Sequence, residues 1–343
     1  MTLAAALARL GDRRDLGEDE AAEVVAHLLG GGATAAQVGA LLMGLRVKGE
    51  CVDEVVGAAR ALRARMVPVS GAPPGTVDTC GTGGDGAGTF NVSTAAALVV
   101  AGAGVPVAKH GNRAVSSRVG SADVLEALGV RLDLAPAALA ECLSTVGFVF
   151  LLAPAHHPAL AAVAGPRREL GVRTLFNLLG PLANPAGVRR QVVGVPAPEM
   201  VELLAGALAR LGTERAWVVH GAGGLDELAL AGTSQVAEVT AAGVRRFSVE
   251  PAAVGVAPGS DADLRVGSAA ESAAVLRRIL TGAPGAGREI VCLNAAAALV
   301  VGGAAPDLRA GVARARAALD GGAALQVLER LIAFTGAREG SAG

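Results

Sequence analysis

The run DTCGTGGDGAGTFNVSTAAALVVAGAGVPVAKHGNRAVSSRVGS, residues 78–121, decides the fold. A short β-type pair, Thr76 and Val77, leads into five glycines within eight residues: Gly81, Gly83, Gly84, Gly86 and Gly88. A polar cluster of Thr89, Asn91, Ser93 and Thr94 then opens an Ala/Val-rich helix. A second apolar strand, 105–108, delivers Lys109, His110, Asn112, Arg113, Ser116 and Ser117 to the next turn. Strand, glycine turn, helix, strand and polar turn make a parallel βαβ unit with both loops at one end of the sheet. Ligands in such sheets sit outside the carboxyl ends of the strands. Glycines let the backbone approach an anion, and a helix N-terminus presents free N–H groups to it. The run therefore predicts a phosphate cradle facing a cationic second wall. Lys109, following its apolar strand, is expected to emerge at the rim as a point charge suited to phosphate.

Downstream, strands and helices keep alternating. Strands are predicted at 76–80, 105–108, 130–134, 148–152, 191–195, 216–220 and 236–240, with helices at 95–100, 124–128, 136–146 and 198–211. That rhythm implies a mostly parallel sheet with helices on both faces. Upstream, residues 1–66 read as four short helices, carried by Leu3, Leu7 and Leu10 in the first and by Val52, Val55, Val56, Ala59, Leu62 and Met66 in the last. Thr34 with Gln37 three residues on is a capping-box signature, and Asp307 reads as an N-cap in the helical stretch 287–334. Four short helices make a thin core, so they must pack on the rest of the chain or on a second subunit. PVSGAPPG, residues 68–75, is a linker by composition. The interval 165–185 breaks the rhythm, basic at Arg167, Arg168 and Arg173 and then NLLGPLANP; it reads as a hinge or as chain returning to the helices. The predicted class is α/β. A small all-helical domain at 1–70, joined by 165–185, accompanies a larger α/β domain at 71–343 with a mostly parallel central sheet.

Composition narrows the partners. The net charge is −1 and aromatics are 2% with no tyrosine, so neither a basic groove nor stacking platforms for nucleic acid are supplied. No run is long enough to span a membrane, the N-terminal stretch reads as an amphipathic helix, and a cytoplasmic location is expected. The four cysteines, Cys51, Cys80, Cys142 and Cys292, are scattered, which argues against a zinc site or a disulfide framework. Of thirty basic residues only Lys48 and Lys109 are lysine. A chain that uses lysine so rarely is expected to need it where it stays.

The loop GTGGDG matches neither the Walker nor the dinucleotide fingerprint, and a plain tight turn competes with the cradle reading. Asp85 inside it could serve a metal-bridged phosphate or a ribose hydroxyl. Ser93 could bind phosphate beside helix N–H groups, or simply cap the helix. Asn112 could orient a substrate without adding charge; His110 could be a base, a hydrogen-bond donor or structural. Asp226 and Glu227, adjacent carboxylates in VVHGAGGLDELAL just past a predicted strand, suit magnesium, although such pairs are also common solvated surface.

Taken together, GTGGDGAGTFNVSTAAALVVAGAGVPVAKHGNRAVSSRVGSADVLEALGV, RRELGVRTLFNLLGPLANP and VVHGAGGLDEL closely resemble the anthranilate phosphoribosyltransferase family, over nearly the whole chain. The resemblance implies the nucleoside-phosphorylase-type phosphoribosyltransferase fold. It also implies transfer of a phosphoribosyl group from phosphoribosyl pyrophosphate to anthranilate in tryptophan biosynthesis, with Mg2+, in a homodimer joined through the helical domain. No protein nucleophile is implied. Phosphoribosyl pyrophosphate would be bound by Gly81, Gly84, Asp85, Thr89, Asn91, Val92, Ser93 and Thr94. Its site would continue through Lys109, His110, Gly111, Asn112, Arg113, Ala114, Val115, Ser116, Ser117 and Ser121. Gly81, Asn112 and Arg167 would contact anthranilate, with Arg167 favoured over Arg168 by alignment on Gly180 and Pro181. Ser93, Asp226 and Glu227 would ligate the metal. Arg118, where lysine is frequent, and Ala222, where an acidic residue is common, are small departures. A pyrimidine nucleoside phosphorylase and a non-catalytic nucleic-acid-binding paralogue are the rival readings of the same architecture.

Overall fold

The computed structural model describes residues 1–114 and 119–337. Four helices come first: α1 (Leu3–Gly11), α2 (Glu18–Leu29), α3 (Ala35–Lys48) and α4 (Val52–Arg63). The Thr34 capping box forms as expected, Thr34 Oγ1 accepting from Gln37 N at 3.3 Å and Gln37 Oε1 accepting from Thr34 N at 3.0 Å. Lys48 is half-buried. Its ammonium sits 2.7 Å from Asp15 and 2.9 Å from Glu54, and Glu54 in turn accepts from the N–H groups of Leu16 and Cys51. That lysine ties α3 and α4 to the connection between α1 and α2, which gives it a structural role.

The α/β portion begins with β1 (Val77–Gly81), α5 (Val92–Gly102) and β2 (Val107–Gly111), then α6 (Ser121–Ala127), α7 (Pro136–Val146) and β3 (Phe148–Leu152). After the short α8 (Ala153–His156) and α9 (Ala161–Leu170) come β4 (Arg190–Gly194), α10 (Glu199–Arg210), β5 (Arg215–His220), β6 (Ser234–Thr240) and β7 (Gly243–Val249). Four helices close the described chain: α11 (Ala269–Leu280), α12 (Ala286–Val301), α13 (Leu308–Asp320), capped by Asp307 as expected, and α14 (Ala323–Gly336). The sheet order is β3-β2-β1-β4-β5-β6-β7, parallel through β5 and antiparallel at β6 and β7. The winding reverses between β1 and β4, and that is where such sheets bind ligands.

Side chains alternate across the sheet with the two-residue period of a strand. Val192, Trp217 and Val219 join one core with α5 and α11–α14, while Val193, Ala216 and Val218 join a second with α10 and the N-terminal helices. The thin helical core is thus completed by the rest of the chain. Leu175, Phe176, Leu178 and Leu182, from the interval that broke the rhythm, lie in that second core with Val25, Leu42 and Val56.

One expected strand does not form. Residues 130–134 are not a strand: Val130 and Leu132 are buried, Arg131 N donates to Thr335 Oγ1 at 3.2 Å, and the stretch runs over α14 between α6 and α7. The place beside β2 is already taken by β3, whose register with β2 is continuous from Val107–Phe148 to Gly111–Leu152. Conversely, β7 escapes the sequence reading. It is an exposed edge strand, and Arg245 and Arg246 mask its alternation by pairing with Glu238 and Glu202.

Candidate active site

The carboxyl ends of β1 and β2, with the turn that follows β5, border a cleft of about 330 Å³. Gly81 and Gly194 end β1 and β4 side by side. The glycine loop follows, with φ of +64° at Gly83 and +85° at Gly84, a left-handed path that side chains resist. Asp226 Oδ2 accepts from Gly83 N at 3.1 Å and would lie only 2.7 Å from a Cβ on Gly81. On the far side the loop is tied down by Val266 N donating to Gly88 O (2.9 Å) and Phe90 N donating to Leu264 O (2.8 Å).

Asn91, not Ser93, caps α5: its Oδ1 accepts from Thr94 N at 3.1 Å. The Ser93 hydroxyl is thereby free to accept from Lys109 Nζ at 3.1 Å. Lys109 does not emerge at the rim as expected. It lies within β2 rather than after it, is 2% exposed, and also donates to the Thr79 carbonyl beneath the loop. Burial lowers its pKa while Asp78 and Glu227 pull it back up.

Three carboxylates gather opposite. Burial first, then the charge of Asp85, pushes Asp226 up to about 7; burial and Asp226 drive Glu227 well above the usual range, although Ser93 N donates to it. This is an all-oxygen donor set of crowded acids beside the Ser93 hydroxyl. Hard divalent cations are bound by such sets.

On the other flank, the Arg167 guanidinium sits 5.3 Å from the centroid of the Phe176 ring, and burial lowers its pKa. His110 donates from Nδ1 to Gly180 O at 3.0 Å, and its ring lies 5.1 Å from that of His157. Burial and the neighbouring His157 bring His110 down to about 3, so it is neutral. Asn112 is exposed, its Oδ1 accepting from Arg113 N at 2.8 Å.

Of the expected site residues, Gly81, Gly84, Asp85, Thr89, Asn91, Val92, Ser93, Lys109, His110, Gly111, Asn112, Arg113, Ser121, Arg167, Asp226 and Glu227 all border this cleft. The Arg113 guanidinium leans back onto Glu126 (2.6 Å), and Ala114 N is held by Asp123 (2.8 Å) away from the lining. Thr94 is fully buried behind it. Val115, Ser116 and Ser117, with Arg118, lie outside the described residues.

Residues 4–66 match the model of the glycosyl transferase family helical bundle domain, and residues 73–325 that of its a/b domain. The anthranilate phosphoribosyltransferase of Pelotomaculum thermopropionicum is 54% identical over 331 residues, 96% of either chain, and that of Azorhizobium caulinodans is 54% identical over 320 residues, 93% of either. The chain belongs to the anthranilate phosphoribosyltransferase family. The family's solved enzyme from Thermus thermophilus superimposes with a TM-score of 0.91 at 45% identity, covering 96% of this chain and 99% of that one. The Saccharomyces cerevisiae anthranilate phosphoribosyltransferase in complex with PRPP and Mg gives 0.90 at 26% identity, covering 98% of each.

In this anthranilate phosphoribosyltransferase-family cleft, some lining residues escaped the sequence reading. Phe176 lies under Arg167, Asn177 lines the same cleft, and Val266 reaches the glycine loop from a distant segment. The first two carried a signal, the break in rhythm before NLLGPLANP. Val266 carried none, because its bridge to Gly88 joins residues far apart in sequence.

Proposed function

We propose that this cleft binds phosphoribosyl pyrophosphate and anthranilate and joins them to N-(5-phosphoribosyl)anthranilate and pyrophosphate. The observation that carries the reading is the meeting, at one rim, of the glycine loop, the Lys109–Ser93 pair, the Asp226–Glu227 carboxylates and Arg167. The phosphates would lie against loop N–H groups and the N-terminus of α5, where the helix dipole favours negative charge.

Ser93, Asp226 and Glu227 would hold Mg2+, which when bound supplies positive charge against the pyrophosphate. Their crowding and raised pKa values fit that role. Lys109 adds a fixed cation from below. Arg167 would grip the anthranilate carboxylate in the two-pronged geometry a guanidinium provides, and Asn112 would orient the amine. No side chain need attack. Leaving-group stabilisation and positioning carry the rate.

Residues 1–70, joined by 165–185, form in this reading one helical body that closes on the α/β body at 71–343, hinged at 68–75 and 165–185, and excludes water from the reacting sugar. A homodimer joined through the helical body belongs to the same reading. A cytoplasmic location fits the scattered free cysteines and the absence, among the described residues, of a helix long and apolar enough to cross a membrane. Loss of anthranilate fluorescence on adding phosphoribosyl pyrophosphate and magnesium tests the activity. Turnover of thymidine or uridine with phosphate instead would overturn it.

A further inference from the structure

We propose that Arg173 is a positioning residue that shapes the anion cradle from behind. It lies in the connection after α9, half-buried, and its guanidinium donates to the carbonyls of Thr82 (3.2 Å) and Gly83. The peptides here are trans, so each carbonyl points opposite to the N–H of the next residue. Holding both carbonyls on Arg173 turns the N–H groups of Gly83 and Gly84 the other way. Gly83 N–H meets Asp226 Oδ2 at 3.1 Å, and Gly84 N–H is turned in the same sense, beside the cleft that Gly84 lines. One guanidinium and one carboxylate therefore grip opposite poles of the same turn.

Two further contacts show that the arrangement is built. A Cβ on Gly84 would lie 1.9 Å from Arg173 Nη1, so the loop leaves that space to the guanidinium. From the helical side, Arg46 of α3 donates to the Arg173 carbonyl at 2.8 Å and fixes the backbone that carries it. The side chain thus transmits the position of the helical body to the loop that receives the diphosphate, a role resting on the donor site proposed above.

The test is calorimetric titration of phosphoribosyl pyrophosphate with magnesium into the full chain, alongside KM values for both substrates. Arg173→Ala should weaken donor binding about tenfold or more, the scale of losing charge-assisted hydrogen bonds that hold the turn. It should move the anthranilate KM far less, and Arg173→Lys should restore only part of the loss. Gly84→Ala, which displaces the guanidinium, should weaken the donor too, and adding Arg173→Ala to it should lower affinity little further. Unchanged donor affinity in Arg173→Ala, equal shifts for both substrates, or fully additive losses in the double variant would each overturn the role of Arg173. Failure of the unsubstituted protein to bind the donor would instead overturn the site reading itself.

Discussion

Lys109 Nζ lies 3.1 Å from the Ser93 hydroxyl, under the floor of the cleft. The ammonium orders the hydroxyl from beneath and leaves its outward face to a ligand. It also balances buried Asp78 and Glu227. Removing it strips the Thr79 carbonyl of a donor and leaves the buried Asp78 and Glu227 carboxyls without their cation. Lys109→Met should therefore destabilise the fold by about 3 kcal/mol as well as abolish turnover, with chemical denaturation reading the first effect. A variant that loses activity at full stability would place Lys109 in direct ligand contact only.

Arg167, stacked over Phe176, should act on one substrate. Arg167→Ala is expected to raise the anthranilate KM by about a hundredfold, the scale of a buried charge-assisted pair, and the donor KM much less. Arg167→Lys should recover little, since an ammonium cannot present the planar fork. Equal rises for both substrates would remove the anthranilate role.

Asp226 and Glu227 oppose the fold that holds them. A carboxyl whose folded pKa is raised binds its proton more tightly folded than unfolded, so stability falls as pH rises from about 4 towards 7. Asp226→Asn with Glu227→Gln should consequently raise Tm at pH 7.5 in magnesium-free buffer while turnover falls on the order of a hundredfold or more. Unaltered magnesium dependence of the residual rate would contradict the metal assignment.

The buried histidines give the opposite slope. Burial lowers His110 to about 3 and His157 to about 4, and lowers His156 as well. Each is held neutral in the fold and takes up its proton on unfolding. Their contribution is complete above pH 6.5 and is lost as pH falls towards 4, by at most about 1.4 kcal/mol per pH unit for each. Denaturation midpoints at pH 7.5 and 5.5 should differ accordingly, and His157→Gln should shrink the gap. A gap unchanged by that substitution would show that other groups set the acid limit.

Much of the site was legible because its chemistry is local in sequence. The glycine loop, the α5 start and the second turn lie within one βαβ unit, and the topology brings both turns to one rim. Lys109 was misplaced through a two-residue slip in β2, which put a buried strand residue at a loop. Stretch 130–134 is apolar enough to pass for a strand, but its burial comes from α14. Arg173 was noticed only as positive charge: its partners are backbone carbonyls some ninety residues away, and no residue pattern advertises them.

A crystal soaked with phosphoribosyl pyrophosphate and magnesium tests the central claim most directly. The diphosphate should lie between Gly84 and the Lys109–Ser93 pair, with the metal on Asp226 and Glu227 and the ribose C1 turned towards Arg167. Donor density elsewhere, with the glycine loop and Lys109 untouched, would contradict the account.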